Sequence, residues 1–172
     1  MQSQQISYRD TGFVSKMICD LFEGKEALSA FYGNMPTLDN FKLQLLDKQE
    51  NFTQNQRKIL VSSLVSQYGS LLQKGGPVDV NIQRLALPNT FSITTGHQLN
   101  LMTGPLYFLY KIISTFNLCK TLKKAHPKFN FVPVYWMATE DHDFDEISFF
   151  NFNRKNFKWD REKAGAVGRF SI

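Results

Sequence analysis

The sequence predicts an α/β chain, in which a helical segment over residues 1–88 precedes the first βαβ part of a core over 89–172. Three observations predict it. In the first half apolar residues recur at helical spacing. "FSITT" at 91–95 and "FVPVYWMA" at 131–138 are β-branched or nearly continuous apolar runs of strand length. Between them lies a helical pattern running from Pro105 to Ala125. Strand, helix and strand in that order require parallel pairing with a right-handed crossover.

Each element has a local reason. In "FVSKMICDLF", Val14, Ile18, Leu21 and Phe22 share one helix face, and Ala27, Leu28 and Phe31 continue as a short helix. Pro36 breaks it, and Thr37 or Asp39 caps the next helix. From Gln54 to Gln73 two adjoining stripes, Val61-Val65-Tyr68-Leu72 and Leu60-Leu64-Leu71, predict a helix with a broad apolar face. "KGGP" at 74–77 ends it, and Pro88 closes a linker. In the core, strand 91–95 leads into the loop "GHQLNLMTGP". Pro105 then stands where the first helical residue belongs. Leu106, Leu109, Ile113 and Phe116 form the predicted core face of helix 105–125, whose lysine-rich end suits the helix dipole. His126 serves as its C-terminal cap before Pro127. Strand 130–138 reads as covered on both faces, with Trp136 in the core. "EISFFNF" at 146–152 is a candidate third strand.

Composition narrows the function. Apolar residues make up 42% and aromatics 14%, too many for a disordered chain. No run is long enough to span a membrane, and the N-terminus lacks a signal-peptide pattern. Cys19 and Cys119 match no zinc or redox spacing and read as reduced thiols of a cytoplasmic protein, packed in helices. The net charge is +5, yet the charges are segregated. No acid occurs from Val80 to Thr139, an interval holding Arg84, Lys111, Lys120, Lys123, Lys124 and Lys128. Then "EDHDFDE" places Glu140, Asp141, Asp143, Asp145 and Glu146 within seven residues. Such a field attracts a small anion rather than nucleic acid, for which no recognition motif is present.

The topology places both polar motifs. Gly96-His97-Gln98 follows the first strand and the acidic run follows the second, so both face one crevice beyond the strands' carboxyl ends. Glycine there permits close backbone approach, and His97 is a candidate donor to phosphate or acid–base group. Thr103 and Gly104 open a helix whose first N–H groups suit an anion. Tyr107 and Lys111 follow on roughly the same side. The acidic run is either a solvated face or a functional cluster of interacting carboxylates. Asp145 and Glu146 fix the loop or pair with a lysine. A dedicated zinc site lacks ligands, and no metal site is assigned.

"TTGHQLNLMTGPLYFLYKIIST" and "FVPVYWMATEDHDFDEIS", with the opening "ALSAFY", resemble the bacillithiol biosynthesis cysteine-adding enzyme family. The resemblance implies a Rossmann-like, nucleotidyltransferase-like core, of which this chain holds an incomplete N-terminal part. It implies a ligase adding cysteine to glucosaminyl-malate in the last step of bacillithiol synthesis. Gly96 and His97 match the last two positions of the H-x-G-H signature of related nucleotide-binding cores, while Thr94 replaces its first histidine. The resemblance assigns His97, Glu140, Asp141, His142 and Asp143 to catalysis. Gly96, Gln98, Thr103, Gly104, Tyr107 and Lys111 would hold substrate or anion. The cofactor stays open, ATP with magnesium being the candidate. The expected partners are small molecules, cysteine and glucosaminyl-malate, with no nucleic acid, no membrane and a homodimer in the full-length protein. Two alternatives stand beside it: a metal-dependent nucleotidyl or phosphoryl transferase using Asp141, Asp143 and Asp145, and a non-catalytic small-anion-binding module.

Overall fold

A computed structural model describes residues 4–160 and 165–170. The chain forms two compact units, Met1–Gln44 and Leu45–Ile172. In the first, Ser7 and Ser15 accept hydrogen bonds from Asp10 and Ile18 N–H. They thereby cap α1 (Tyr8–Thr11) and α2 (Lys16–Phe22). The Arg9 guanidinium bridges Asp20 and Glu23 at 2.7 and 2.8 Å on the surface. Cys19 is buried and unpaired. The predicted helix around Phe31 is a 3₁₀ turn, Glu26–Phe31, that leaves Phe31 exposed.

Helix α3 (Leu38–Asn51) runs into the second unit, and Thr37 caps it by accepting from Asn40 N–H. Helix α4 (Gln54–Tyr68) opens with a reciprocal capping box between Thr53 and Gln56 and closes at Gly69. Its most buried side chain is not one of the predicted leucines but Arg57, 3% exposed. The guanidinium donates to the carbonyls of Leu85, Thr90 and Pro88 at 3.1, 2.9 and 3.4 Å. Burial pushes its pKa down. The segment read as a linker is a helix, α5 (Pro77–Leu85). Gly76 is its N-cap, Pro77 stands in its first turn, and Ile82 and Leu85 are buried.

Strands β1 (Thr90–His97) and β2 (Asn130–Met137) pair in parallel, with Thr90 opposite Asn130 and His97 opposite Met137. Helix α6 (Leu106–Ala125) connects them and packs on both. It presents a different side from the one predicted. Thr115, Cys119 and Leu122 are buried, while Leu106, Leu109, Ile113 and Phe116 are exposed. The helix carries two apolar stripes, and the sheet takes the one built on Phe108, Ile112, Thr115, Cys119 and Leu122, spaced alternately four and three residues apart.

Strand β2 is likewise not covered on both faces among the described residues. Val132 is buried, but Trp136 is 60% exposed and outside the core. The candidate third strand divides into α7 (Phe144–Ile147) and β3 (Phe149–Phe152). The latter forms an antiparallel hairpin with β4 (Lys155–Lys158) through Asn153 and Arg154, both at positive φ. Phe144, Ile147 and Val167 make a second small core, with Trp159 and Phe170 edge-on to Phe144.

Candidate functional site

The site begins at the carboxyl end of β1. Gly96 and His97 lie inside the strand rather than after it, because the pairing with β2 continues through Trp136 and Met137. Glycine is required there. A Cβ on Gly96 would meet Trp136 O at 2.9 Å and Trp136 Cβ at 3.0 Å. The close approach leaves His97 buried beneath the following loop. Beyond Gln98, the turn Leu101–Thr103 reverses the chain through positive φ at Met102, Thr103 and Gly104. A Cβ on Gly104 would fall 2.6 Å from Asn100, so this glycine makes room for that side chain. Pro105 is the N-cap of α6 rather than its first helical residue, with φ −72° and ψ 152°.

The acidic loop folds on its own carboxylates. Asp141 Oδ1 accepts from Asp143 N–H at 3.0 Å, and Asp143 accepts from Glu146 N–H at 3.1 Å, capping α7. That cap brings Glu146 toward β1. Glu146 Oε2 accepts from Gln98 Nε2 at 2.8 Å, and Oε1 accepts from the Tyr107 hydroxyl at 3.0 Å. His97 Nε2 lies 2.6 Å from the Tyr107 oxygen and 3.1 Å from Glu146 Oε1. Gln98 Nε2 also donates to Asp141 Oδ2 at 3.0 Å. Donation by Gln98, then by Tyr107, with the neighbouring His97, holds the Glu146 carboxyl below the usual carboxylate range despite some desolvation. Desolvation, and then the bond to Glu146, raises the Tyr107 phenol, which stays protonated at neutral pH.

The two motifs therefore meet. The structure brings together His97, Gln98, Tyr107 and Asp141 around Glu146. Lys111 sits beside them, donating to Gly96 O at 3.2 Å, its ammonium 5.3 Å from the Tyr107 ring centre. Thr103 and Gly104 shape the turn through their backbone. Asp143 works as a cap. Glu140 and His142 are exposed and line a separate cavity of about 470 Å³, together with Thr139, Gly165, Ala166, Gly168 and Arg169.

Three members of the cluster escape sequence reasoning. Glu146 reads there as a loop residue, although its position three residues after a capping Asp143 foretells an inward turn. Asn100 donates to Gln98 O at 3.0 Å, and its amide nitrogen lies 2.9 Å from His97 Nδ1. Tyr135 donates to His97 O at 2.8 Å. Nothing in their local spacing marks these two.

The arrangement also tests the alternatives. Asp141 and Asp143 are occupied as acceptors for N–H groups, and among the described residues no three His, Cys, Asp or Glu side chains converge to hold a metal. A triphosphate fits poorly as well. The His97 side chain is only 3% exposed, and its Nε2 is engaged by Tyr107 and Glu146, so it does not offer a donor to phosphate.

All 172 residues match the family model described as the bacillithiol biosynthesis BshC N-terminal Rossmann-like domain. The chain belongs to this family. A Flavobacterium johnsoniae protein named "Putative cysteine ligase BshC" is 53% identical over 171 residues, covering 99% of this chain and 32% of the relative. Proteins of the same name from Christiangramia forsetii and Bacillus thuringiensis are 49% and 37% identical, covering 99% and 92% of this chain and 32% and 28% of the relatives. The chain thus spans about a third of the length of the curated relatives it matches. The α/β fold with a parallel β1–β2 pair agrees with the Rossmann-like description. Among the described residues no helix is long and apolar enough to cross a membrane.

Proposed function

We propose that this chain supplies one wall of the active site of a cytoplasmic ligase that joins the carboxyl group of cysteine to the amine of glucosaminyl-malate. The observation that carries this reading is the junction of the two strand-end motifs at Glu146, an acid of the second motif that gathers Gln98, Tyr107 and His97 from the end of β1 and the start of α6. Glu146 is partly exposed and ionised at neutral pH, so it attracts the ammonium form of an amine substrate. When the amine attacks an activated cysteine carboxyl, the C–N bond forms, the activating group leaves and a proton must depart. A carboxylate of the acidic loop receives that proton. Lys111, at the rim, faces the negative charge that develops on the attacked carbonyl oxygen. His97 and Gln98 hold the carboxylate in place. The names of the relatives and the family description support the ligase class.

A chimera tests the proposal: these 172 residues replace the matching third of the Flavobacterium johnsoniae relative. Incubation with glucosaminyl-malate and cysteine, with and without ATP and magnesium, is read by mass for the thiol product. The chimera should form product, and Glu146→Ala should lower its rate by about 100-fold or more. Product from the parent relative but none from the chimera, or an unaffected Glu146→Ala chimera, overturns the reading.

A further inference from the structure

A buried histidine that touches a carboxylate commonly serves as its counter-ion, and His97 touches Glu146. We infer that Asn100 is a positioning residue that keeps the His97 ring neutral, with its single proton on Nε2. Asn100 makes two contacts through a single atom. One terminal atom of its amide lies 3.0 Å from Gln98 O and 2.9 Å from His97 Nδ1. A carbonyl oxygen only accepts, so the atom facing it is the NH₂ group. The second N–H of that group then points at Nδ1, which must be the unprotonated acceptor. The flipped amide would set two oxygens 3.0 Å apart with no proton between them.

His97 Nδ1 also lies 3.3 Å from Gln98 O, a longer contact that a proton on Nδ1 would serve. That proton would however collide with the Asn100 N–H. The far side of the ring agrees. Glu146 Oε1, 3.1 Å away, is a pure acceptor, and Nε2 must carry the proton to face it. The remaining oxygen of Asn100 is buried with no partner among the described residues and packs beside Gly104, so the amide is fixed by its nitrogen and by space.

The cluster consequently has a direction. His97 Nε2–H faces the Tyr107 oxygen and Glu146, and the Tyr107 O–H donates on to Glu146. An imidazolium would cancel the charge of Glu146; a neutral ring preserves it. The tautomer is independent of the ligase proposal, whereas its use, keeping an anionic acceptor for a cationic amine, rests on that proposal.

The test uses the 172-residue chain with ¹⁵N-labelled histidine. Its three histidines are separated by His126→Gln and His142→Gln, and long-range ¹H–¹⁵N correlations report which ring nitrogens carry protons at neutral pH. In the wild type, His97 should show a bare Nδ1 and a protonated Nε2. Asn100→Asp turns the donor into an acceptor, so Nδ1 should gain a proton while Nε2 keeps its own. Asn100→Ala frees Gln98 O to accept from Nδ1, so it should move the Nδ1 signal the same way by a smaller amount. A wild-type ring protonated at Nδ1 overturns the inference. So do wild-type ring signals in both variants when their backbone spectra show the native fold.

Discussion

At the residue scale, Glu146 turns two strand ends into one site, and its ionisation couples that site to stability. Its folded-state pKa lies below the ordinary glutamate value, chiefly because Gln98 and Tyr107 donate to it. The unfolded chain lacks these donors. The stabilisation is therefore complete above the ordinary glutamate pKa and is lost as pH falls through the lower folded value. Glu146→Gln removes the charge while keeping the size. The gap in denaturant midpoint between wild type and this variant should be widest near neutrality and close in acid. Because 39% of the side chain faces solvent, the gap should stay below about 1 kcal/mol. A gap that does not change with pH would show that the donors do not favour the charged form. Tyr107 and Gln98 were legible from their place after a strand and at a helix start. Glu146 was hidden inside a run of five acids. Asn100 was hidden more deeply, because a tautomer depends on three groups that only the fold brings together.

At the element scale, α6 shows where periodicity misleads. Both of its stripes are apolar, and the more strongly apolar one, through Leu106, Leu109, Ile113 and Phe116, lies exposed. The sheet selects the narrower stripe of Thr115, Cys119 and Leu122, whose smaller side chains let helix and strands approach. Burial also raises the Cys119 thiol, which makes it a packing group rather than a nucleophile. Leu122 is fully buried, so Leu122→Ala should cost about 2–5 kcal/mol. Ile113→Lys should change stability by no more than about 0.5 kcal/mol, as expected of a solvent-facing position. Urea denaturation of the two variants would give the reverse order if the sequence-predicted face were the core. The strands were easier to read, since β-branched and apolar runs between polar motifs have few other uses. Helix α5 escapes the sequence for a definite reason: "KGGP" reads as the end of the preceding helix, which closes at Gly69, while Gly76 and Pro77 are the N-cap and first residue of α5.

At the scale of the whole molecule, composition and packing divide the chain differently. Composition suggests a change of character at 88, whereas compactness separates Met1–Gln44 from Leu45–Ile172. Arg57 explains why α4 stays with the sheet. Its guanidinium reaches the carbonyls of Leu85, Pro88 and Thr90, tying α4 to the end of α5 and the start of β1. Gln54 adds a bond to Ala86 O at 2.9 Å. Charge-assisted bonds of this kind contribute roughly 1.5–3 kcal/mol each when buried, and removing the donor leaves buried carbonyls unpaired. A chain of residues 35–172, which retains the Thr37 cap, should therefore unfold cooperatively. A chain of residues 89–172 should not, because β1, β2 and α6 would lack both the α4–α5 cover and the Arg57 donor to Thr90 O. Circular dichroism during thermal unfolding, with hydrogen exchange at the β1 amides, distinguishes the cases. A cooperative 89–172 would place the structural boundary where the composition changes. A non-cooperative 89–172 beside a cooperative 35–172 would make the helices from Leu45 onward part of the scaffold that holds His97 under Glu146.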